Sequence, residues 1–322
     1  MMRKLAVFLI VFAFVTSNAY ADLSVHFIDL GQGDAALVIC DGEAMLIDGG
    51  PASASQFVYS YLRQKVNKLS AMIATHPHDD HIGGLAAALN AVPVDVIYSP
   101  ITTWGSKSWN SLAKYASAQG TPIVIPQEGD SFPLGNATVT ILHCWPEAWA
   151  ENDMSIVLRL DYGTTSFLFT GDAEEMSEAI MLTDGVSLPA DVLKVAHHGS
   201  RYSSTPDFIE AVAPSWAVIS CGDGNAYGHP HEETLRTLSI TKVLRTDQLG
   251  TIVFHSDGQT LTVSTADEPD VEAAYIGNRN SMKFHYPDCP SVAEMAEHNK
   301  VPLASRQDAS ALGYISCGSC KP

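Results

Sequence analysis

Basic residues are scarce in this chain. Its 322 residues carry 18 lysines and arginines against 36 aspartates and glutamates, a formal charge of −18. A surface of that sign repels polyanions at long range. It excludes a protein that grips nucleic acid through a broad basic face, so a nucleic-acid ligand would have to be held by metal ions and local groups. Long hydrophobic runs are also missing after Leu5–Val15. A spanning helix needs about 20 apolar residues, so a bundle of such helices is excluded. There is no internal repeat and no low-complexity tract. A hydrophobic content of 46% supports a sizeable core and excludes a disordered chain. The length suits one large domain and a small module.

Met1-Met2-Arg3-Lys4, the apolar run Leu5–Val15 and Ala19-Tyr20-Ala21 have the charge, hydrophobicity and A-x-A site of an export signal. Cleavage after Ala21 is expected, leaving a chain from residue 22 that is secreted or periplasmic, with no stable membrane association. Residues 22–274 hold 11 basic against 32 acidic side chains, whereas 275–322 hold five against four. The polar, acidic, proline-containing stretch 265–274 reads as a linker. It separates a main domain, 22–264, from a compact module, 275–322.

Strand-like and helix-like segments alternate through the main domain. Strands are expected at 23–30, 35–40, 44–47, 69–75, 94–99 and 122–125, with helices at 55–65, 84–91 and 108–119. A second half carries strands at 137–142, 155–161, 166–170, 191–196, 216–221, 251–255 and 260–264, with helices at 174–182, 206–212 and 231–238. Two such halves argue for an α/β sandwich.

The densest chemistry is Thr75-His76-Pro77-His78-Asp79-Asp80-His81-Ile82-Gly83-Gly84. It leaves an apolar strand and enters a helix. His76 and His78, two apart in extended chain, point the same way. Asp80 and His81 turn toward a second point. One loop can therefore feed two metal ions, and imidazole with carboxylate suits zinc, manganese or iron. Further polar residues leave apolar strands elsewhere: Asp48 after Met45-Leu46-Ile47, Asp172 after Phe167–Gly171, and His197-His198 after Val192–Ala196. In α/β sheets ligands gather at such strand ends. Asp29 and Asp34 flank Gly31 and Gly33 and read as turn-shaping residues.

His-x-His-x-Asp-His, with Asp48 before it and Asp172 and His197 after it, resembles the metallo-β-lactamase superfamily. The detail is closer to the soluble domain of ComEC-type competence proteins. It rests on Asp29-Leu-Gly-Gln-Gly-Asp34, Asn152-Asp-Met-Ser155, Thr170-Gly-Asp172, His197-His-Gly-Ser200, Asn225-Ala-Tyr-Gly-His-Pro230 and Arg245-Thr-Asp247. The likeness covers roughly residues 23–263. It implies an αββα sandwich with two divalent ions, zinc or manganese, at one edge. ComEC-type proteins have membrane spans, whereas this chain looks like the isolated domain behind a signal peptide.

On that resemblance His76 and His78 serve one metal, Asp80 with His197 or His198 serves the other, and Asp172 bridges them. Two such ions lower the pKa of water to about 7 and clamp the attacked and leaving oxygens. Asp48 would orient the histidine ligands. His229 would contact substrate or protonate the leaving group. Ser200, Asn225 and Tyr227 would hydrogen-bond a phosphate oxygen. The pattern departs from the superfamily at one point. A further histidine is expected between the cluster and Asp172, where this chain offers His143, or Asn152 with Asp153. Asn152 is the weaker ligand, so one metal site should be weaker or prefer a harder ion than zinc.

The module holds His285-x3-Cys289 and Cys317-x2-Cys320, a spacing suited to a Cys3His structural zinc. A segment this short needs such a staple to fold. The open alternative is one disulfide with a spare thiol. Cys40, Cys144 and Cys221, alone in apolar stretches, read as core residues. The segment resembles the zinc module of Ada-type DNA-repair proteins in Tyr275-Ile-Gly-Asn, Cys289-Pro290, Ser305-Arg306, Ala311-Leu-Gly-Tyr314 and Cys317–Pro322. His285 stands where that family has its alkyl-accepting cysteine, so alkyl transfer is not supported. A stapled fold and nucleic-acid contact, through Arg279, Lys283 and Lys300, are what the likeness implies.

These readings converge on a secreted metal-dependent hydrolase, with a phosphodiester and specifically DNA as the expected substrate. A hydrolase of a small phosphodiester, β-lactam or other ester is the alternative, and a non-catalytic DNA-binding protein the second.

Overall fold

The computed structural model describes residues 23–265, 275–296, 299–303 and 306–322. The signal segment 1–21 lies outside them, as does the linker apart from Thr265.

The first sheet is built from β1 (Leu23–Phe27), β2 (Ala36–Cys40), β3 (Glu43–Ile47), β4 (Ala71–Ile73), β5 (Ile97–Tyr98) and β6 (Ile123–Val124), with β14 (Ile252–Ser256) and β15 (Leu261–Thr265) added at one edge. Its order is β15-β14-β1-β2-β3-β4-β5-β6. The second comprises β7 (Ser131–Leu134), β8 (Ala137–His143), β9 (Val157–Tyr162), β10 (Thr165–Phe169), β11 (Val192–Lys194), β12 (Trp216–Ile219) and β13 (Lys242–Arg245). It runs β13-β12-β11-β10-β9-β8-β7.

Alternation along the strands decides the layers. Val25, Phe27, Val38, Met45 and Ile47 of the first sheet pack against Val139, Leu158, Leu160, Phe167 and Phe169 of the second. The opposite residues of the first sheet, Leu37, Leu46 and Met72, meet α1 (Ser55–Lys65), α3 (Leu85–Ala91) and α4 (Lys107–Gln119) through Phe57, Leu85 and Leu112. Leu168, Leu193 and Ile219 on the back of the second sheet meet Met181 of α5 (Glu175–Asp184) and Phe208 of α6 (Pro206–Val212). The result is the αββα sandwich that the sequence implied.

Two short edge strands, β7 and β13, were not expected from the sequence. Pro133 lies within β7, which is tolerated because the strand ends its sheet. The helix expected at 55–65 forms over those residues. The helix expected at 84–91 is preceded by a four-residue turn of helix, α2 (Asp79–Ile82).

The module has its own mixed sheet of β16 (Tyr275–Asn278), β17 (Lys283–His285), β18 (Lys300–Leu303) and β19 (Ile315–Ser316), in the order β18-β16-β17-β19, with β19 parallel to β17 and the other pairs antiparallel. Phe284, Leu303, Leu312 and Tyr314 fill it. Among the described residues no helix is long and apolar enough to cross a membrane.

Candidate metal centre

Strands β3, β4 and β5 run parallel, as do β10, β11 and β12. The loops leaving their C-terminal ends gather at one edge of the sandwich. Asp48 follows β3, His76 to His81 follow β4, Asp172 follows β10, and His197 and His198 follow β11.

Two close backbone approaches bring the loops together. A Cβ on Gly84 would lie 2.1 Å from the Gly49 carbonyl oxygen, so only glycine lets the Asp48 loop touch the metal motif. Gly33 has φ +142, and a Cβ there would lie 2.5 Å from the Asp80 oxygen. Beside it the Asp34 N–H donates to that same oxygen at 3.0 Å.

Three histidines have their tautomers set by these neighbours. The His81 Nδ1–H donates to Asp48 at 2.8 Å. Asp48 also accepts from the Thr75 N–H at 2.9 Å and the Thr75 hydroxyl at 2.6 Å. With its own proton committed to Asp48, the Thr75 oxygen accepts from His76 Nδ1 at 3.2 Å. His198 Nδ1 lies 2.9 Å from the Ser220 carbonyl and 3.2 Å from Asp34. Both partners only accept, so Nδ1 carries a proton and Nε2 is the atom left to face the cleft. That is the arrangement of metal-ligating histidines.

The Nε2 atoms and carboxylates then converge. His81 Nε2 is 3.2 Å from Asp172 Oδ1, and His198 Nε2 is 3.3 Å from Asp80 and 3.6 Å from Asp172 Oδ2. His76 Nε2 and His197 Nε2 each lie 3.9 Å from Asp172 Oδ2. Asp172 thus stands among four histidines, with His81 at Oδ1 and His198, His76 and His197 around Oδ2, and the tight ligand groups His76-His81-Asp172 and Asp80-His81-His198 share His81. His76 Nε2 is also 3.0 Å from His78 Nδ1. His78 is partly exposed and directs its Nε2 to Glu151 at 2.8 Å.

The residues present fit a divalent cation. His81 Nε2, His198 Nε2 and Asp172 Oδ1 are buried and make no hydrogen bond of normal geometry, an expensive arrangement unless something else binds them. The cluster also draws in positive charge. Burial alone would lower His198, but Asp172 and Asp34 outweigh it and lift it to about 10. Against the same burial, Asp172 and Asp48 raise His81 well above its usual value. Burial works to raise Asp172, yet His81, His198 and His76 hold it well below the usual carboxylate range.

Backbone strain points to the same place. Asp48 (φ 57), His197 (φ 51) and His198 (φ 54) all occupy the left-handed region. Non-glycine residues there cost about 1–3 kcal/mol each and persist where the surroundings over-determine them.

The remaining expected residues are distributed as follows. His143 is paired with Glu128 at 2.8 Å and belongs to none of the tight clusters around Asp172. Asn152 is at the centre, where its amide donates to Glu174 at 2.8 Å and lies 3.5 Å from His197 Nδ1. His197 Nδ1 is itself 3.2 Å from Glu174. Asp153 instead accepts from the Ser177 hydroxyl at 2.7 Å.

His229 and Tyr227 line the cleft, of about 320 Å³, with their rings stacked 5.6 Å apart. Burial, then the charge of His198, pushes His229 down to about 4. Asn225 braces that loop, donating to the carbonyls of Gly222 at 2.9 Å and His229 at 2.6 Å and accepting from the N–H groups of Tyr227 and His229. Ser200 is buried and accepts from the Tyr202 N–H.

Sequence reasoning passed over Lys194, Glu151 and Glu174, and took Asp34 for a turn-shaping residue. Lys194 Nζ lies 2.5 Å from Asp34, with both side chains almost wholly buried. A lysine closing an apolar strand next to His197 was the available signal.

In the module, His285, Cys289, Cys317 and Cys320 bring one ligand atom each within 4.8 Å of one another. None of the three cysteines is in a disulfide, and the set can hold a metal. The backbone N–H groups of Cys320 and Ser319 bring the Cys317 thiol down to about 7, favouring the thiolate that binds metal.

The family model "Metallo-beta-lactamase superfamily" matches residues 28–223. ComE operon protein 3 of Bacillus subtilis is 31% identical over 262 residues, which cover 74% of this chain and 34% of that protein. Competence protein ComA of Neisseria gonorrhoeae is 31% identical over 231 residues, 70% of this chain and 31% of that one. The chain thus spans about a third of the length of these relatives. Among solved structures, the metallo-beta-lactamase fold protein YhfI from Bacillus subtilis aligns with a TM-score of 0.51 at 16% identity, covering 73% of this chain and 99% of that chain. That likeness is one of fold.

Proposed function

The chain belongs to the metallo-β-lactamase superfamily, and from that premise we propose that it is an exported metal-dependent phosphodiesterase acting on DNA. One observation carries the reading. Buried ligand atoms of His81, His198 and Asp172 converge without a hydrogen bond of normal geometry, Asp172 and His198 line the cleft beside Asp80, and Asp172 also reaches toward His76. His81, His198, Asp80 and Asp172 would hold one divalent ion. His76, His78 and Asp172, with His197 or Asn152 beside them, would hold a second. Zinc or manganese suits these donors.

Divalent ions held there would supply Lewis acidity, for activating water near neutral pH and for neutralising charge on a phosphoryl group. The protein's own part is positional. Asp48 and Asp34 lock the ligand tautomers, so little reorganisation is needed when the site loads. His229, neutral at pH 7, hydrogen-bonds the substrate and does not pair with it as a cation. Tyr227, two-thirds exposed at the rim, offers a ring on which a base can stack. That contact matters in a protein whose net charge opposes a polyanion. The names of the relatives, a ComE operon protein and a competence protein, are in keeping with DNA. Export rests on the residue pattern of 1–21. Zinc in the Cys3His cluster would staple the module.

The test is cleavage of single- and double-stranded oligonucleotides by the chain from residue 22, with manganese or zinc. Cutting by the wild type and none by Asp172→Ala is expected. Turnover of nitrocefin or a small ester, with no oligonucleotide cleaved, would replace DNA as the substrate.

A further inference from the structure

The C-terminal module is docked on the loop that leads into the metal centre. Arg279, just beyond β16, forms an ion pair with the Asp29 carboxylate and donates to the Asp29 main-chain oxygen at 2.6 Å. Its guanidinium lies 5.4 Å from the centre of the Phe57 ring on α1. On the other side of the contact a Cβ at Gly313 would come within 2.9 Å of both Gln56 and Ser60.

This docking leaves a second cleft of about 450 Å³ between module and sandwich, within the range of small-molecule sites, about 300–1,000 Å³. Gln32 lines both this cleft and the metal cleft. Its side-chain oxygen accepts from the Gly222 N–H at 3.2 Å, while its NH2 group has no hydrogen-bond partner. The two clefts therefore meet at an amide that is anchored at one end and has unused donors at the other.

The lining is chemically selective. Leu30 and Phe57 give it an apolar side, and Asn280 and Asn299 of the module bring amides. Among the described lining residues the one lysine or arginine is Arg279, already engaged by Asp29, and Asp247 is paired with Arg245 at 2.5 Å. Such a lining gives a phosphate no uncommitted cation to pair with. It suits a flat, neutral group with an apolar face and an edge of donors and acceptors, which describes a nucleobase.

Taken with the phosphodiesterase reading, on which it rests, the geometry points to this cleft as a subsite for a nucleobase that flanks the scissile phosphodiester. Gln32, Asn280 and Asn299 hydrogen-bond the base edge, and Leu30 covers its face. The module thus contributes one wall of a substrate site, and the neutral subsite provides affinity for DNA without a basic surface.

The experiment compares a short single-stranded oligonucleotide with the same strand carrying abasic positions beside the cut site. Binding to the full chain is measured in an Asp172→Ala background, with and without Asn280→Ala/Asn299→Ala. The proposal expects base removal to weaken binding about tenfold when the asparagines are present, and far less when they are replaced. The double variant should keep the wild-type Tm, which separates loss of base recognition from loss of the fold. Equal loss on base removal in both backgrounds would overturn the subsite while leaving the phosphodiesterase reading standing. Hydrolysis of bis-p-nitrophenyl phosphate with no oligonucleotide bound or cut would overturn both the subsite and DNA as substrate.

Discussion

Asp34→Ala should be among the most damaging single changes outside the metal ligands. Asp34 and Lys194 form an ion pair at 2.5 Å, with side chains 6% and 5% exposed. Removing one partner of such a pair leaves a buried, uncompensated charge and costs about 3–5 kcal/mol. In a unit of this size that is a fall in Tm of about 6–20 °C. Lys194 also donates to the Val195 carbonyl at 3.0 Å, but that contact does not neutralise its charge. The assay is urea denaturation of the metal-free protein, which keeps ligand binding out of the comparison. Adding Lys194→Met to Asp34→Ala should recover much of the loss, because the orphaned charge goes with it. The same variant tests the site, since Asp34 holds His198 Nδ1 at 3.2 Å. Loss of such a partner lowers metal affinity about 10–100-fold. A destabilisation below about 1 kcal/mol, or a double variant no better than the single, would refute this account of the pair.

Two further outcomes follow from other parts of the structure. His26 is buried under α1 with Nδ1 2.8 Å from the Tyr61 hydroxyl, and burial, then Lys65 and His255, lowers it to about 3. Between pH 6.5 and 3 the unfolded chain binds the extra proton, so stability falls as pH drops through that window, by up to about 1.4 kcal/mol per pH unit. His26→Gln should flatten that part of the profile, and an unchanged slope in chemical denaturation would count against it. In the module, Cys317→Ser should abolish one bound zinc per chain by elemental analysis and speed proteolysis within residues 275–322. Equal zinc content in the variant would show that the four side chains do not form the site.

Much of the centre was legible because the chain concentrates it. His76, His78, Asp80 and His81 lie on one loop, and Asp48, Asp172 and His197-His198 each terminate an apolar strand. What could not be read was which atoms meet. The sequence expected His197 or His198 opposite Asp80. Left-handed φ values at both residues turn His198 toward Asp80 and His197 toward Glu174. Asp34 read as a turn residue because it follows Gly33, and its partners Lys194 and His198 lie some 160 residues further along the chain. Asn225 looked like a phosphate contact, yet its amide is engaged in bracing its own loop. The Arg279–Asp29 contact joins residues 250 apart in sequence, and no local pattern signals it. Among the strands, β7 and β13 escaped because each is four residues long and mixes polar with apolar side chains at a sheet edge, where the packing that makes alternation readable is incomplete.

The central claim is that the Asp172-centred cluster is a metal-dependent phosphodiesterase site. Its most direct test is hydrolysis of bis-p-nitrophenyl phosphate by metal-stripped protein to which manganese or zinc is returned, with Asp172→Asn alongside. The account predicts no turnover without metal, turnover restored by metal in the wild type, and none in the folded variant. Turnover that survives chelation, or that Asp172→Asn retains, would contradict it.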